Sequence, residues 1–146
     1  MTYAAVMAAA KYLDHLASVP LFSSLSQKDL RKIASAGEEL SIEPGKVLTE
    51  QGDTGREAFV IFDGTAAVKR NNRKVASLGP GDCVGELALL DRGPRTATVV
   101  AETPMQVFVL GSRQFSGVLD EVPGLAHKML AALASRVREM DKKAWG

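Results

Sequence analysis

The chain has 146 residues, 46% of them hydrophobic and 24% charged, with a net charge of +1. That is enough for one domain with a sizeable core, and the charge balance gives no reason to expect nucleic acid or an anionic membrane as a partner. A single cysteine, Cys83, excludes an intramolecular disulfide framework and agrees with a reducing, cytoplasmic setting.

Residues 1–10 are apolar but too few to span a bilayer, and no basic residues precede them. Residues 3–17 are expected to form an alanine-rich helix with Val6, Ala9, Leu13 and Leu16 on one face, packed on its own domain or on a partner. Residues 19–22 break it. Ser26 then caps a second helix reaching about Ala36, with Leu25, Leu30 and Ile33 inward and Gly37 ending it. Residues 1–38 are thus a helical N-terminal segment.

From residue 39 to 110 short β-branched runs alternate with turn signals at Pro44-Gly45, Gly52-Asp53, Asp63-Gly64, Asn71-Asn72 and Gly79-Pro80-Gly81. The runs include residues 47–49, 59–62, 66–68, 75–78, 96–101 and 106–110. This pattern predicts an antiparallel β-sandwich or barrel. The tip at residues 71–74, Asn-Asn-Arg-Lys, reads as a solvated turn in preference to a nucleic-acid contact.

Residues 111–146 are expected to be helical. Ser112 caps a helix to about Asp120, with Phe115, Val118 and Leu119 apolar. Pro123 takes the first position of a last helix running to about Lys142. Its stripe is Leu125, Met129, Leu133, Val137 and Met140, widened by Ala126 and Leu130, and such a stripe ordinarily packs on a core.

The chemistry concentrates in residues 83–98, C-V-G-E-L-A-L-L-D-R-G-P-R-T-A-T. Residues 87–90 can make one helical turn whose free N–H groups attract an anion. Gly85 lets a ligand approach the backbone. Glu86 accepts hydrogen bonds from hydroxyls, and Arg95 presents a fork of donors to phosphate oxygens. The plain alternative is a surface ion pair of Glu86 and Arg95 beside a turn. His15 and His127 are far apart, and no cluster has metal-ligand spacing. No P-loop, G-x-S-x-G or nucleophile–base arrangement is present, so neither a metal nor an enzyme activity is expected.

G-E-L-A-L followed by P-R-T-A-T resembles the phosphate-binding cassette of cyclic nucleotide-binding domains, and the order of elements is similar to that family over roughly residues 16 to 140. The resemblance implies an α+β fold: an eight-stranded antiparallel β jelly-roll barrel with N-terminal helices, a short cassette helix and two C-terminal helices. The barrel is residues 39–110, with its cassette at 84–97. The ligand implied is cyclic AMP or cyclic GMP, with no cofactor. Arg95 would bind the cyclic phosphate, helped by backbone N–H groups near Ala88 and Thr96. Glu86 would accept from the ribose 2′-OH, with Gly85 and Ala97 completing the cassette. The base would lie over Val75, Val84 and Leu87, capped from the last helix by Arg136, Val137 or Met140, with Trp145 as an outlier. Val84 departs from the phenylalanine many members carry. Thr96 leans toward guanine, while the family at large leans toward cyclic AMP.

The resemblance implies a sensor that turns occupancy into movement of its C-terminal helices. Its effector is either a protein in trans or a domain fused in a longer chain. A homodimer through the terminal helices is a further arrangement. The competing reading is a ligand-free structural or protein-interaction module that keeps the fold. A cupin-type enzyme would need a histidine-rich metal site, and both histidines fall outside the expected strands.

Overall fold

The computed structural model describes residues 12–85, 89–90 and 93–145. Val6 and Ala9 of the expected first helix lie outside the described residues. Residues 12–17 are helical (α1), and Leu13 and Leu16 are buried. A 3-10 turn at Pro20–Phe22 then sets Leu21 and Phe22 into the core. Helix α2 is Gln27–Ala36, and its cap is as the sequence predicts: the Asp29 N–H donates to the Ser26 hydroxyl at 3.2 Å. Leu30 and Ile33 form its buried face.

Gly37 ends α2 for a different reason from the expected one. It is not left-handed (φ −109°). A β-carbon there would stand 2.2 Å from Cζ of Phe108, so the residue is glycine because an aromatic ring rests on its Cα.

Among the described residues eight strands follow: β1 (Glu38–Ile42), β2 (Val47–Thr49), β3 (Glu57–Asp63), β4 (Ala66–Arg70), β5 (Arg73–Leu78), β6 (Cys83–Val84), β7 (Thr98–Ala101) and β8 (Met105–Gly111). They do not close into the expected barrel. They form two four-stranded antiparallel sheets, ordered β1-β8-β3-β6 and β2-β7-β4-β5, an arrangement consistent with a jelly-roll sandwich. Two of the edge strands, β2 and β6, span only three and two residues, too short to carry a ladder round from one sheet to the other.

Five successive residues of β3 are buried, because both faces of its sheet are covered. Phe59 and Ile61 point between the sheets, with Val84, Val99, Met105 and Val107. Ala58, Val60 and Phe62 point the other way, joining Phe108 and Leu110 beneath a helical layer of Leu16, Phe22, Ile33, Phe115 and Leu125. The result is three layers: helices, sheet, sheet.

Helix α3 is Ser112–Glu121. Its N-cap is Gly111 and no side chain caps it, so Ser112 is its first residue rather than its cap. Phe115 and Val118 are buried. Helix α4 is Leu125–Trp145. Pro123 precedes it instead of opening it, because Gly124 (φ +84°) intervenes and its carbonyl accepts from the Lys128 N–H at 3.1 Å. The α4 stripe is buried only at its start. Leu125 and Met129 are enclosed and Leu133 is half-buried, whereas Val137 and Met140 are 63% and 68% exposed. The helix packs on the Pro20–Phe22 turn, and Lys128 pairs with Asp29 of α2 at 3.1 Å. No helix among the described residues is long and apolar enough to cross a membrane.

Candidate functional site

The loop between β2 and β3 and the segment leading into β7 are fastened together, and this fixes Arg95. The Arg95 N–H donates to the Asp53 carbonyl at 2.7 Å, and the Arg95 carbonyl accepts from the Gly52 N–H at 2.9 Å. Thr54 bridges Pro94 beside them, and the Gly55 N–H reaches the Gly93 carbonyl at 3.3 Å. Gly52 turns this loop with φ +91°, a conformation that costs a glycine little.

From that anchorage the Arg95 side chain runs back to the end of β6. Its Nη2 donates to the backbone carbonyl of Glu57, the first residue of β3. Its Nη1 lies over Gly85. A β-carbon on Gly85 would meet that nitrogen at 1.7 Å, and Gly85 itself has φ +70°. Position 85 is therefore glycine on two counts, handedness and clearance. Burial pulls the Arg95 guanidinium below its ordinary value, opposed by negative charge at Glu57 and then Cys83. An arginine so placed stays a cation at neutral pH.

Arg95 forms one wall of a cleft of about 380 Å³. The other walls come from β2 and its exit (Val47, Leu48, Thr49, Glu50), from Asp53, Thr54, Arg56 and Glu57, and from Phe59. That size suits a small molecule. The lining is mixed: an aromatic floor, three carboxylates and two guanidinium groups. A singly charged anion bearing hydroxyls and an apolar ring would find a partner for each of its parts.

The sequence-predicted site residues divide. Gly85 and Arg95 are brought together. Val84 is buried between the sheets, paired in register with Phe59, and so supports the cleft from behind. Thr96 is exposed, and its carbonyl accepts from Nε of Arg70 at 3.2 Å; the Ala97 carbonyl accepts from the Thr49 hydroxyl at 3.4 Å. Glu86, Leu87 and Ala88 lie outside the described residues, as does the side chain of Arg136. Val75 is 54% exposed on β5 and does not line the cleft. Val137 and Met140 do not line it either, so α4 provides no lid from them in this structure. No metal-binding group occurs among the described residues.

Sequence reasoning missed the whole β2–β3 contribution. A signal was there: Gly52-Asp53-Thr54-Gly55-Arg56-Glu57 is a polar loop with two glycines between strands. Only its bridge to Pro94, distant in sequence, turns it into a wall of the site.

Known proteins resemble this chain along most of its length. The family described as "Cyclic nucleotide-binding domain" matches residues 39–122. The cAMP-dependent protein kinase regulatory subunit of Hypocrea atroviridis is 36% identical over 131 residues, which are 89% of this chain and 28% of that protein. The Cyclic AMP receptor protein of Thermus thermophilus is 32% identical over 127 residues, 84% of this chain and 59% of the other. The chain therefore spans between about a quarter and three-fifths of these relatives' length. Among solved structures, the N-terminal domain of a transcriptional regulator from Streptomyces coelicolor A3(2) superposes with a TM-score of 0.83 at 30% identity, covering 88% of this chain and 96% of that one.

Proposed function

The chain belongs to the cyclic nucleotide-binding domain family, and from that premise we propose that it is a cyclic AMP sensor whose occupancy is read out through its C-terminal helices. It is a regulatory module and not an enzyme, in keeping with its family and with relatives that are a regulatory subunit and a receptor protein. The observation that carries the reading is the Arg95 guanidinium, seated over Gly85 at the wall of the cleft and anchored through its backbone to the β2–β3 loop.

In the proposed complex Arg95 binds the cyclic phosphate with two donors, and Glu86 takes the ribose hydroxyl. Ala88 and Thr96 contribute backbone N–H groups. Cyclic AMP is placed ahead of cyclic GMP because both named relatives carry cyclic AMP in their descriptions. The Thr96 hydroxyl, the one feature favouring guanine, stands at an exposed position.

The readout is assigned to α4. Its distal stripe, Val137 and Met140, is exposed, so this half of the helix has apolar surface to offer either the bound base or another protein. Occupancy shifts the helix between these partners by no more than the ligand's differential affinity for the two arrangements. The protein partner is an effector in trans or in the same longer chain, or a second copy joined through the terminal helices.

Calorimetric titration with cyclic AMP, cyclic GMP and 5′-AMP tests the reading. Binding of cyclic AMP at micromolar concentration or below, with no response to 5′-AMP, is the expected result. Tighter binding of cyclic GMP would reverse the choice of base. Silence toward both cyclic nucleotides would leave the alternative of a fold kept for protein interaction alone.

A further inference from the structure

The hairpin of β4 and β5 carries a charge arrangement that the nucleotide site does not explain. Asn71 (φ 53°) and Asn72 (φ 66°) make its tight turn, and the register sets Arg70 opposite Arg73 and Lys69 opposite Lys74. Like charges directly opposite each other in an antiparallel pair are destabilising. Part of this charge is absorbed: Lys74 pairs with Glu102 at 3.0 Å, and Arg70 donates to the Thr96 carbonyl. Lys69 and Arg73 have no ion pair of this kind among the described residues.

The same hairpin ends in an open edge. Among the described residues β5 is the last strand of its sheet and bonds only to β4. Residues 73–77 are all exposed, including the apolar Val75. An open edge is a template for an added strand, and cations along it repel a second copy of itself while attracting an acidic strand. The chain's net charge of +1 gives no reason to expect a nucleic-acid backbone as the occupant. A duplex also has no peptide groups to pair with the edge.

We infer that the outer edge of β5 is a docking strand for an extended acidic segment of a partner protein, whose backbone pairs with residues 73–78 and whose carboxylates, on the face that Arg73 shares with Arg70, meet Arg73. This inference stands apart from the nucleotide reading, since none of these residues lines the cleft.

The test is fluorescence anisotropy with a labelled peptide, GEVEVEVG, against the neutral GQVQVQVG and the proline-broken GEVEPEVG, with a short DNA duplex as competitor. The acidic peptide is expected to bind in a salt-sensitive way, to protect amides of residues 73–78 from hydrogen exchange, and to lose about tenfold in affinity in Arg73→Glu. That variant turns a like-charge pair with Arg70 into an opposite-charge pair, so its unfolding temperature is expected to hold. Arg73→Gln, which removes the charge without reversing it, serves as a second variant. Unchanged affinity in both folded variants would overturn the inference. So would equal binding of the proline-broken peptide, which would reduce the tip to a charge sink, or displacement by DNA at matching concentration. Arg73-dependent self-association without peptide would make the occupant a second copy, and would overturn it too.

Discussion

Gly85 and Arg95 occupy one another's space: the guanidinium fills the volume that any side chain on Gly85 would need, with Nη1 1.7 Å from where the β-carbon would stand. Gly85→Ala should therefore damage the site twice. It displaces the arginine, and it forces alanine into a left-handed conformation at a cost of roughly 1–2 kcal/mol. The expected outcome is a folded protein, with its melting temperature lowered by a few degrees, that no longer responds to cyclic AMP in calorimetry. Wild-type affinity in this variant would mean that Arg95 does not hold the phosphate.

Arg95→Ala removes the cation and leaves a bound phosphate unpaired, a loss of about 2–5 kcal/mol in binding. That corresponds to roughly thirtyfold to several-thousandfold in Kd. The side chain is only half-buried, so the fold should survive. Arg95→Lys should fall between the two, because lysine keeps the charge but cannot bind two oxygens at once. Titration of both variants, with circular dichroism as the fold control, checks the order: wild type tightest, then lysine, then alanine.

Much of this molecule could be read before its fold was seen. Ser26 announces α2, positive-φ glycines stand where the turn signals fall, and Gly85 and Arg95 lie in one recognisable stretch. What could not be read is non-local. Nothing near Thr54 announces that it will bridge Pro94, so a wall of the cleft passed as an ordinary loop. A strand period tells which residues face inward but not whether the last strand bonds to the first; it left sandwich and barrel both open, and the barrel that the resemblance implied gives way to two sheets. The apolar stripe of α4 gave the buried face at Leu125 and Met129, but Ala126 and Leu130 are exposed and do not widen it, and the surface beneath it stops near Leu133 while the periodicity continues.

Phosphate binding should be indifferent to pH across the neutral range. Burial lowers the Arg95 pKa, so folding penalises its charged form. That penalty is present below the lowered value and disappears as pH rises through the interval between it and arginine's ordinary value. The interval lies on the strongly alkaline side, since arginine keeps its proton in proteins. Between about pH 6 and about pH 9 the guanidinium remains a cation, and cyclic AMP affinity should vary by no more than about twofold. Calorimetry at several pH values tests this. A steep alkaline fall would show that another titrating group governs the site.

Gly37 offers a check on packing independent of any ligand. Its backbone is unstrained, so Gly37→Ala carries no left-handed penalty, and in an open position it would stabilise by restricting the unfolded chain. Here the new methyl group would stand 2.2 Å from the Phe108 ring and 2.6 Å from the Val109 carbonyl, and the strand cannot retreat without breaking its ladder to β1 and β3. Overpacking of this kind costs about 1–3 kcal/mol. Thermal unfolding should show Gly37→Ala well below wild type, and Gly37→Ala with Phe108→Leu partly restored.

The two halves of α4 should respond oppositely to substitution. Leu125 is fully buried against the Pro20–Phe22 turn, so Leu125→Ala leaves a cavity and should cost about 2–5 kcal/mol, read as a large drop in the midpoint of urea unfolding. Val137 is 63% exposed, and Val137→Ser should change the stability of the isolated chain by no more than about 0.5 kcal/mol. If the distal stripe closes over bound nucleotide, however, Val137→Ser and Met140→Ser together should weaken cyclic AMP binding while leaving the unfolding midpoint in place. Hydrogen exchange separates this from a passive surface: ligand should slow exchange in the distal half of α4 in the wild type and not in the double variant. A double variant with wild-type affinity and unchanged exchange would instead assign the stripe to a protein partner.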